Sequence, residues 1–224
     1  MRFQIYQINS DRDKNRVKFM GLKDIEKFQD TAKIDSGIYD RVFMGDADCE
    51  DLEDIYTLFN TQGHRLHRGH SLSVSDIVTT DEGAFFCDRI GFKKVEFDKS
   101  AAHVPDNLIR VLVLEPHRAP YESEIPNTLE GQQRAVEGKI EYIGNEDDTV
   151  IVINEESKIN GMEGNRRIDR DVLVGPVFIA GDTGENICSL TDEQMQRFAE
   201  KFAEPEEIPP EEIEAHTGSF FQAW

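Results

Sequence analysis

The sequence predicts an α+β protein of two small mixed domains, each with a mostly antiparallel sheet and one or two packed helices. Three observations lead there. Strand-like apolar runs are short and separated by polar turns, and apolar residues at helical spacing appear in a few brief stretches between them. Charge is also shared unevenly about a small, polar, proline-stiffened stretch, Ser100 to Asn107. Residues 1–106 carry 15 basic and 20 acidic side chains, and residues 107–224 carry 10 and 25. The reading is a domain over 1–104 and a more acidic one over 105–224.

In the first domain, Phe3, Ile5, Tyr6 and Ile8 suggest an opening strand. Leu22, Ile25 and Phe28 follow Gly21 at helical spacing, and Ile38 to Met44 reads as a second strand. Leu52, Ile55, Tyr56 and Phe59 sit at i, i+3, i+4 and i+7, so a helix is expected over 50–60, with Glu50 and Asp51 favouring its positive N-terminal end. Val74 to Thr79 and Ala84 to Asp88 read as strands joined by the turn Thr80-Asp81-Glu82-Gly83, and Gly91 to Phe97 as another strand.

The second domain opens with Leu108 to Leu114, a strand with so little polar interruption that it belongs inside a sheet. Thr128 can cap a helix running to about 137 and ending at Gly138. Lys139 to Ile143 and Thr149 to Ile153 are strands about a polar turn, and Val177 to Ala180 is a further strand. Thr191, followed by Asp192, Glu193 and Gln194, has the form of a capping box opening a helix. Beyond Pro205 the chain reads as an acidic, proline-bearing tail that ends in the apolar Phe220 to Trp224.

Composition narrows the function. A net charge of −20 leaves too few cations for phosphate contacts, so direct nucleic-acid binding is not expected and a protein partner with a basic face is. No apolar run reaches the roughly 20 residues of a membrane helix, and Met1 to Ile5 does not resemble a signal peptide. Cys49, Cys87 and Cys188 form no CxxC pair, which suits reduced thiols in the cytoplasm.

Gly63 to His70 places His64, His67 and His70 at spacings of three, beside Arg65 and Arg68. Metal ligation is one reading, but a loop does not fix that geometry and the arginines would repel a cation; a structural role or a partner contact at His64, His67 and Arg68 fits better. Asp46 to Asp51 begins like a calcium loop, yet has Asp51 where the required glycine would stand and Thr57 at the twelfth position. No nucleophile elbow, P-loop or dinucleotide fingerprint occurs, Cys87 reads as a small buried thiol, and no cofactor is implied. The remaining feature is Asp192 to Glu214, with nine acids against two bases. Glu204, Glu206, Glu207, Glu211, Glu212 and Glu214 could imitate the spaced charges of a phosphate backbone, or could simply be solvated.

Two resemblances add context. Phe3-Gln4-Ile5-Tyr6-Gln7-Ile8, Leu52 to Asn60, Arg68-Gly69-His70-Ser71-Leu72-Ser73-Val74-Ser75-Asp76 and Asp88 to Val95 resemble the YodL-like domain over residues 1–98. Residues 108–214 resemble an uncharacterised domain of phages and conjugative elements. Its signals are Arg110 to Pro116, Leu129 with Gln133 and Gly138, Asn154 to Lys158, Asn165-Arg166, Gly175-Pro176-Val177-Phe178 and Ser189 to Gln194, with Glu137 standing where that family tends to have a second glycine. The resemblances imply accessory proteins of Gram-positive mobile elements and bring no catalytic residues.

The expectation is a non-catalytic protein that binds a protein partner, in its most specific form as an acidic, DNA-mimicking antagonist of a host restriction or CRISPR enzyme. A second reading is an interaction module acting on host cell-envelope or division proteins. A third is a metal-dependent enzyme on His64, His67 and His70.

Overall fold

The computed structural model describes residues 1–29, 33–169 and 171–217. The chain forms two compact units, Met1–Asp106 and Asn107–Trp224, each with its own antiparallel sheet. The apolar end at 220–224 lies outside the described residues.

In the first unit the strands are β1 (Arg2–Ile8), β2 (Tyr39–Asp46), β3 (Ile77–Thr80), β4 (Gly83–Cys87) and β5 (Phe92–Val95), in the order β2-β1-β3-β4-β5. Alternation along β1 sorts its side chains between the two faces. Tyr6 and Ile8 join a core with Ile25 of α1 (Leu22–Gln29), Tyr39, Ile77 and Phe86. Phe3 faces the other way and meets Phe43 and Phe59, the latter on α2 (Leu52–Thr61). Asp51 caps α2 by accepting from the backbone N–H groups of Glu53 and Asp54, so its carboxylate sits at the helix start as the spacing predicted.

Two expectations change here. Phe28 has helical spacing but is 64% exposed, because the short α1 buries only part of its circumference. Val74 to Asp76 is not strand; Ser75 takes a φ of 81° and turns the chain into β3.

The second unit holds β6 (Leu108–Leu114), β7 (Tyr121–Pro126), β8 (Ile140–Gly144), β9 (Thr149–Asn154) and β12 (Val177–Asp182) in the order β7-β6-β12-β9-β8, with β13 (Ile187–Cys188) on β12. Strands β10 (Gly164–Ile168) and β11 (Asp171–Val174) form a separate hairpin. Leu112, Leu114, Ile151 and Ile179 pack with Met195 and Phe198 of α4 (Asp192–Lys201). Val111, Val113, Val152 and Phe178, which alternate with that set, are fully buried as well, and α3 (Leu129–Val136) contacts β7, β9 and β12.

Thr191 and Gln194 complete the expected capping box of α4, and Thr128 caps α3. The end of α3 differs from expectation. Glu137, not Gly138, takes the left-handed conformation, at φ 59°. Gly138 is needed for closeness instead: a Cβ there would lie 2.3 Å from Nδ2 of Asn154.

Strands β7, β10, β11 and β13 were not anticipated, although Val172-Leu173-Val174 of β11 is a short apolar run. Nor was α5 (Pro210–Thr217), a helix where the sequence reads as an acidic tail. Ile208 and the buried Ile213 pack against Val172 and Val174 of β11, so this acidic segment is docked on the β10–β11 hairpin.

Candidate functional site

The loop after α2 is built around an aromatic wall. The His64 ring lies parallel to Phe59 with centroids 6.1 Å apart and meets Phe43 edge-on at 4.8 Å. His67 meets Phe59 edge-on at 4.9 Å. Arg68 turns toward β2, where its backbone N–H and its guanidinium donate to the carbonyls of Val42 and Arg41. His70 points elsewhere, with its ring 5.4 Å from that of Phe19. The three histidines do not converge, and no group of three or more potential metal ligands gathers among the described residues. Burial, reinforced by the neighbouring His70 and Arg68 side chains, pushes the His67 imidazole down to about 4, so it is neutral at physiological pH.

The stretch from Gly69 to Asp76 closes over Gln7. The Gln7 amide donates to the carbonyl of His70 at 2.8 Å and to Oδ2 of Asp76 at 2.9 Å, and its oxygen accepts from the backbone N–H of His70 at 3.0 Å. Gly69 must be glycine, since a Cβ there would fall 2.0 Å from Oε1 of Gln7. Nδ1 of His70 lies 2.7 Å from the carbonyl of Ser71 and 3.1 Å from the Gln7 amide nitrogen.

Asp76 is fully buried. Oδ2 also accepts from the backbone N–H of Ser73 at 2.8 Å, while Oδ1 has no partner among the described residues. Burial raises the carboxyl to about 7 against the lowering effect of Ser73, Gln7 and Lys18. Ser75 extends the network, accepting through Oγ from the backbone N–H of Phe19 and through its carbonyl from the Tyr39 hydroxyl, each at 2.9 Å. Burial raises the Tyr39 hydroxyl too, so it stays a donor. The arrangement staples a loop to β1 and β2. Nε2 of His70 is buried without a hydrogen-bond partner among the described residues, while about a third of the side chain stays exposed. Cys87, in β4 beside this network, is buried, and its thiol is pushed up to about 12, far from a reactive thiolate.

In the second unit, the paired Asn165-Arg166 is also a staple. Asn165 donates to the carbonyls of Leu114 and Gly175, and the fully buried Arg166 donates to those of Arg118 and Phe202. The next residue, Arg167, gathers part of the acidic segment. It pairs with Glu206 and Glu212, each at 2.7 Å, and their hydrogen bonds raise its already high affinity for a proton. Glu207 faces His117 at 3.3 Å. Glu204, Glu211 and Glu214 are exposed. The six glutamates are therefore not one array: Glu206 and Glu212 anchor the segment, and the others point to solvent on an ordered backbone. Gln7, Asp76 and Arg167 were not foreseen as organising residues, although the adjacent Arg166-Arg167 was a visible signal.

No helix among the described residues is long and apolar enough to cross a membrane. No curated protein and no solved structure matches the chain. Two family models do match, one in each unit: the YodL-like domain over residues 2–97 and a domain of unknown function, DUF3846, over residues 109–203. The chain is a fusion of these two segments, a YodL-like domain followed by a DUF3846 domain.

Proposed function

We propose that this is a non-catalytic, cytoplasmic accessory protein of a bacterial mobile element that acts by binding another protein. Its acidic second unit would occupy the nucleic-acid-binding face of a host defence enzyme of the restriction or CRISPR kind. The observation that carries the reading is the mounting of the acidic segment. Ile213 in the β11 cluster and the Arg167 clamp hold α5 in place, leaving Glu204, Glu207, Glu211 and Glu214 on ordered backbone within a unit that has 15 more acids than bases. Fixed carboxylates can match a surface built for phosphates without first ordering a tail. The histidines and Asp76, which might have served chemistry, are engaged in packing or buried. The thiols of Cys87 and Cys188, which form no disulfide, suit a reducing compartment.

The test is inhibition of purified restriction and CRISPR nucleases by the full chain, with duplex DNA as competitor, at low and at physiological salt. Inhibition should weaken steeply as salt rises. Changing Glu204, Glu207, Glu211 and Glu214 together to glutamine should slow association more than it speeds dissociation. Arg167 and its two partners are left intact, so that a loss of fold is not read as a loss of charge. Inhibition that is flat with salt and unmoved by the four substitutions would remove the mimicry reading.

A further inference from the structure

On the α3 face of the second sheet lies a cleft of about 250 Å³, between the N-terminal end of α3 and the β12–β13 turn. Its walls include Asn127, Gln132, Tyr142, Asp182, Glu185 and Asn186, and no lysine or arginine lines it. The staple networks described above do not extend to it.

A chain of hydrogen bonds sets its polar wall. The Tyr142 hydroxyl donates to the side-chain carbonyl of the nearly buried Gln132. The Gln132 amide in turn donates to Oδ1 of Asn127 at 3.3 Å, and the Asn127 amide donates to the carbonyl of Ile187 at 3.1 Å. Tyr142 is 49% exposed, so its ring is held by the hydroxyl while part of it stays open to a ligand.

The opposite wall is equally fixed. The β12–β13 turn is closed by the Thr183 backbone N–H donating to the Asn186 carbonyl at 3.0 Å and the Asn186 N–H donating to Oγ1 of Thr183 at 3.1 Å, and Gly184, at φ 83°, allows it. Oδ1 of Asp182 accepts from the backbone N–H of Gly184 at 2.7 Å, which orients the carboxylate. No ion pair engages Asp182 or Glu185 among the described residues, whereas Asp192, Glu146 and Glu156 of the same unit all meet a cation.

Two unneutralised carboxylates, side-chain amide oxygens and an aromatic face in a cleft of side-chain size suit one chemical group above others. A guanidinium is planar, carries five N–H donors, pairs with carboxylates through two parallel bonds and stacks on tyrosine. The geometry points to this cleft as the receptor for an arginine side chain of the protein partner. The inference deepens the proposed function and rests on it in one respect, that the partner presents a basic face. A nucleic-acid-binding surface is rich in such arginines, and an arginine seated here would be an anchor in addition to the steering field of the acidic unit.

The experiment titrates the full-length, isotope-labelled chain with Nα-acetyl-arginine amide and follows its amide resonances. Nα-acetyl-citrulline amide, the same shape without the charge, and free L-arginine are run alongside. The blocked arginine should give saturable shifts at 182–187, Tyr142 and the Gln132 side-chain amide. Glu185→Gln and Tyr142→Leu should each weaken binding by about three- to tenfold, and Asp182→Asn, which keeps Oδ1 for the turn, by a similar factor. Citrulline binding equally well, or shifts that do not saturate, would overturn the assignment. Free arginine binding more than about tenfold tighter than the blocked form would also overturn it, since the site would then be reading the α-amino and carboxylate groups of a free amino acid. The titration needs no partner, so its failure removes the arginine site alone. Arginine binding in a protein that inhibits no nuclease would instead remove the defence-enzyme reading.

Discussion

Two buried titratable groups in the first unit oppose one another in their effect on stability. Asp76 binds its proton more tightly when folded, at about 7 against 3.8 for the unfolded chain, so its contribution is greatest at acid pH and is lost as pH rises through 7. His67 has the reverse sign. Its folded value of about 4 lies below the ordinary 6.5, so its contribution is present above pH 6.5 and is lost as pH falls toward 4. Over the shared window the two largely cancel. Asp76→Asn should therefore lose roughly 2–3 kcal/mol relative to wild type on going from pH 6.5 to 4, and His67→Gln should gain by a similar amount. Urea unfolding of the three proteins across that range checks it; parallel curves would mean that neither group is buried in the state that unfolds. Asp76 follows Ser71, Ser73 and Ser75 and nothing local marks it as buried; its partner Gln7 is 69 positions away, which no local pattern foretold.

At the scale of elements, the ends of helices were the most readable. Thr191 with Gln194, Thr128 and Asp51 each act through contacts within three residues, so spacing alone places them. The end of α3 is the exception. Glu137 holds a left-handed conformation that an L-residue adopts at a cost, although Gly138 stands next to it; the neighbouring Asn154 side chain reserves that glycine. Glu137→Gly, which restores the glycine typical of the resembled family, should stabilise the protein by about 0.5–1 kcal/mol, because the exposed Glu137 side chain has little to lose. Thermal or urea unfolding measures it, and a loss of stability would mean that the left-handed turn is not where α3 ends. The short edge pieces β7, β10 and β13 were illegible because tertiary pairing, not an alternating pattern, makes them strands.

For the whole molecule, the division between Asp106 and Asn107 separates two sheets with separate cores. Fragments 1–106 and 107–224 should each fold when expressed alone and show well-dispersed amide spectra that overlay the corresponding signals of the full chain. Two collapsed or aggregated fragments would mean that the cores depend on one another. The imbalance of charge falls on the same boundary, so the second fragment alone should carry any salt-dependent binding to a DNA-handling enzyme.

Composition and spacing were enough for the α+β class, the two-part organisation, the capped helices and the two family resemblances, because these rest on local periodicity, turn chemistry and charge counts. Only the tertiary structure decided what the polar residues do. It set His64 and His67 against Phe59, turned His70 toward Gln7 and Ser71, buried Asp76, and divided six adjacent glutamates into two clamped by Arg167 and four facing outward. The physical reason is reach. A helix cap or a turn is satisfied within a few residues, whereas a buried donor or carboxylate takes whichever partner the folded chain brings within about 3 Å, and that partner lies tens of residues away in sequence.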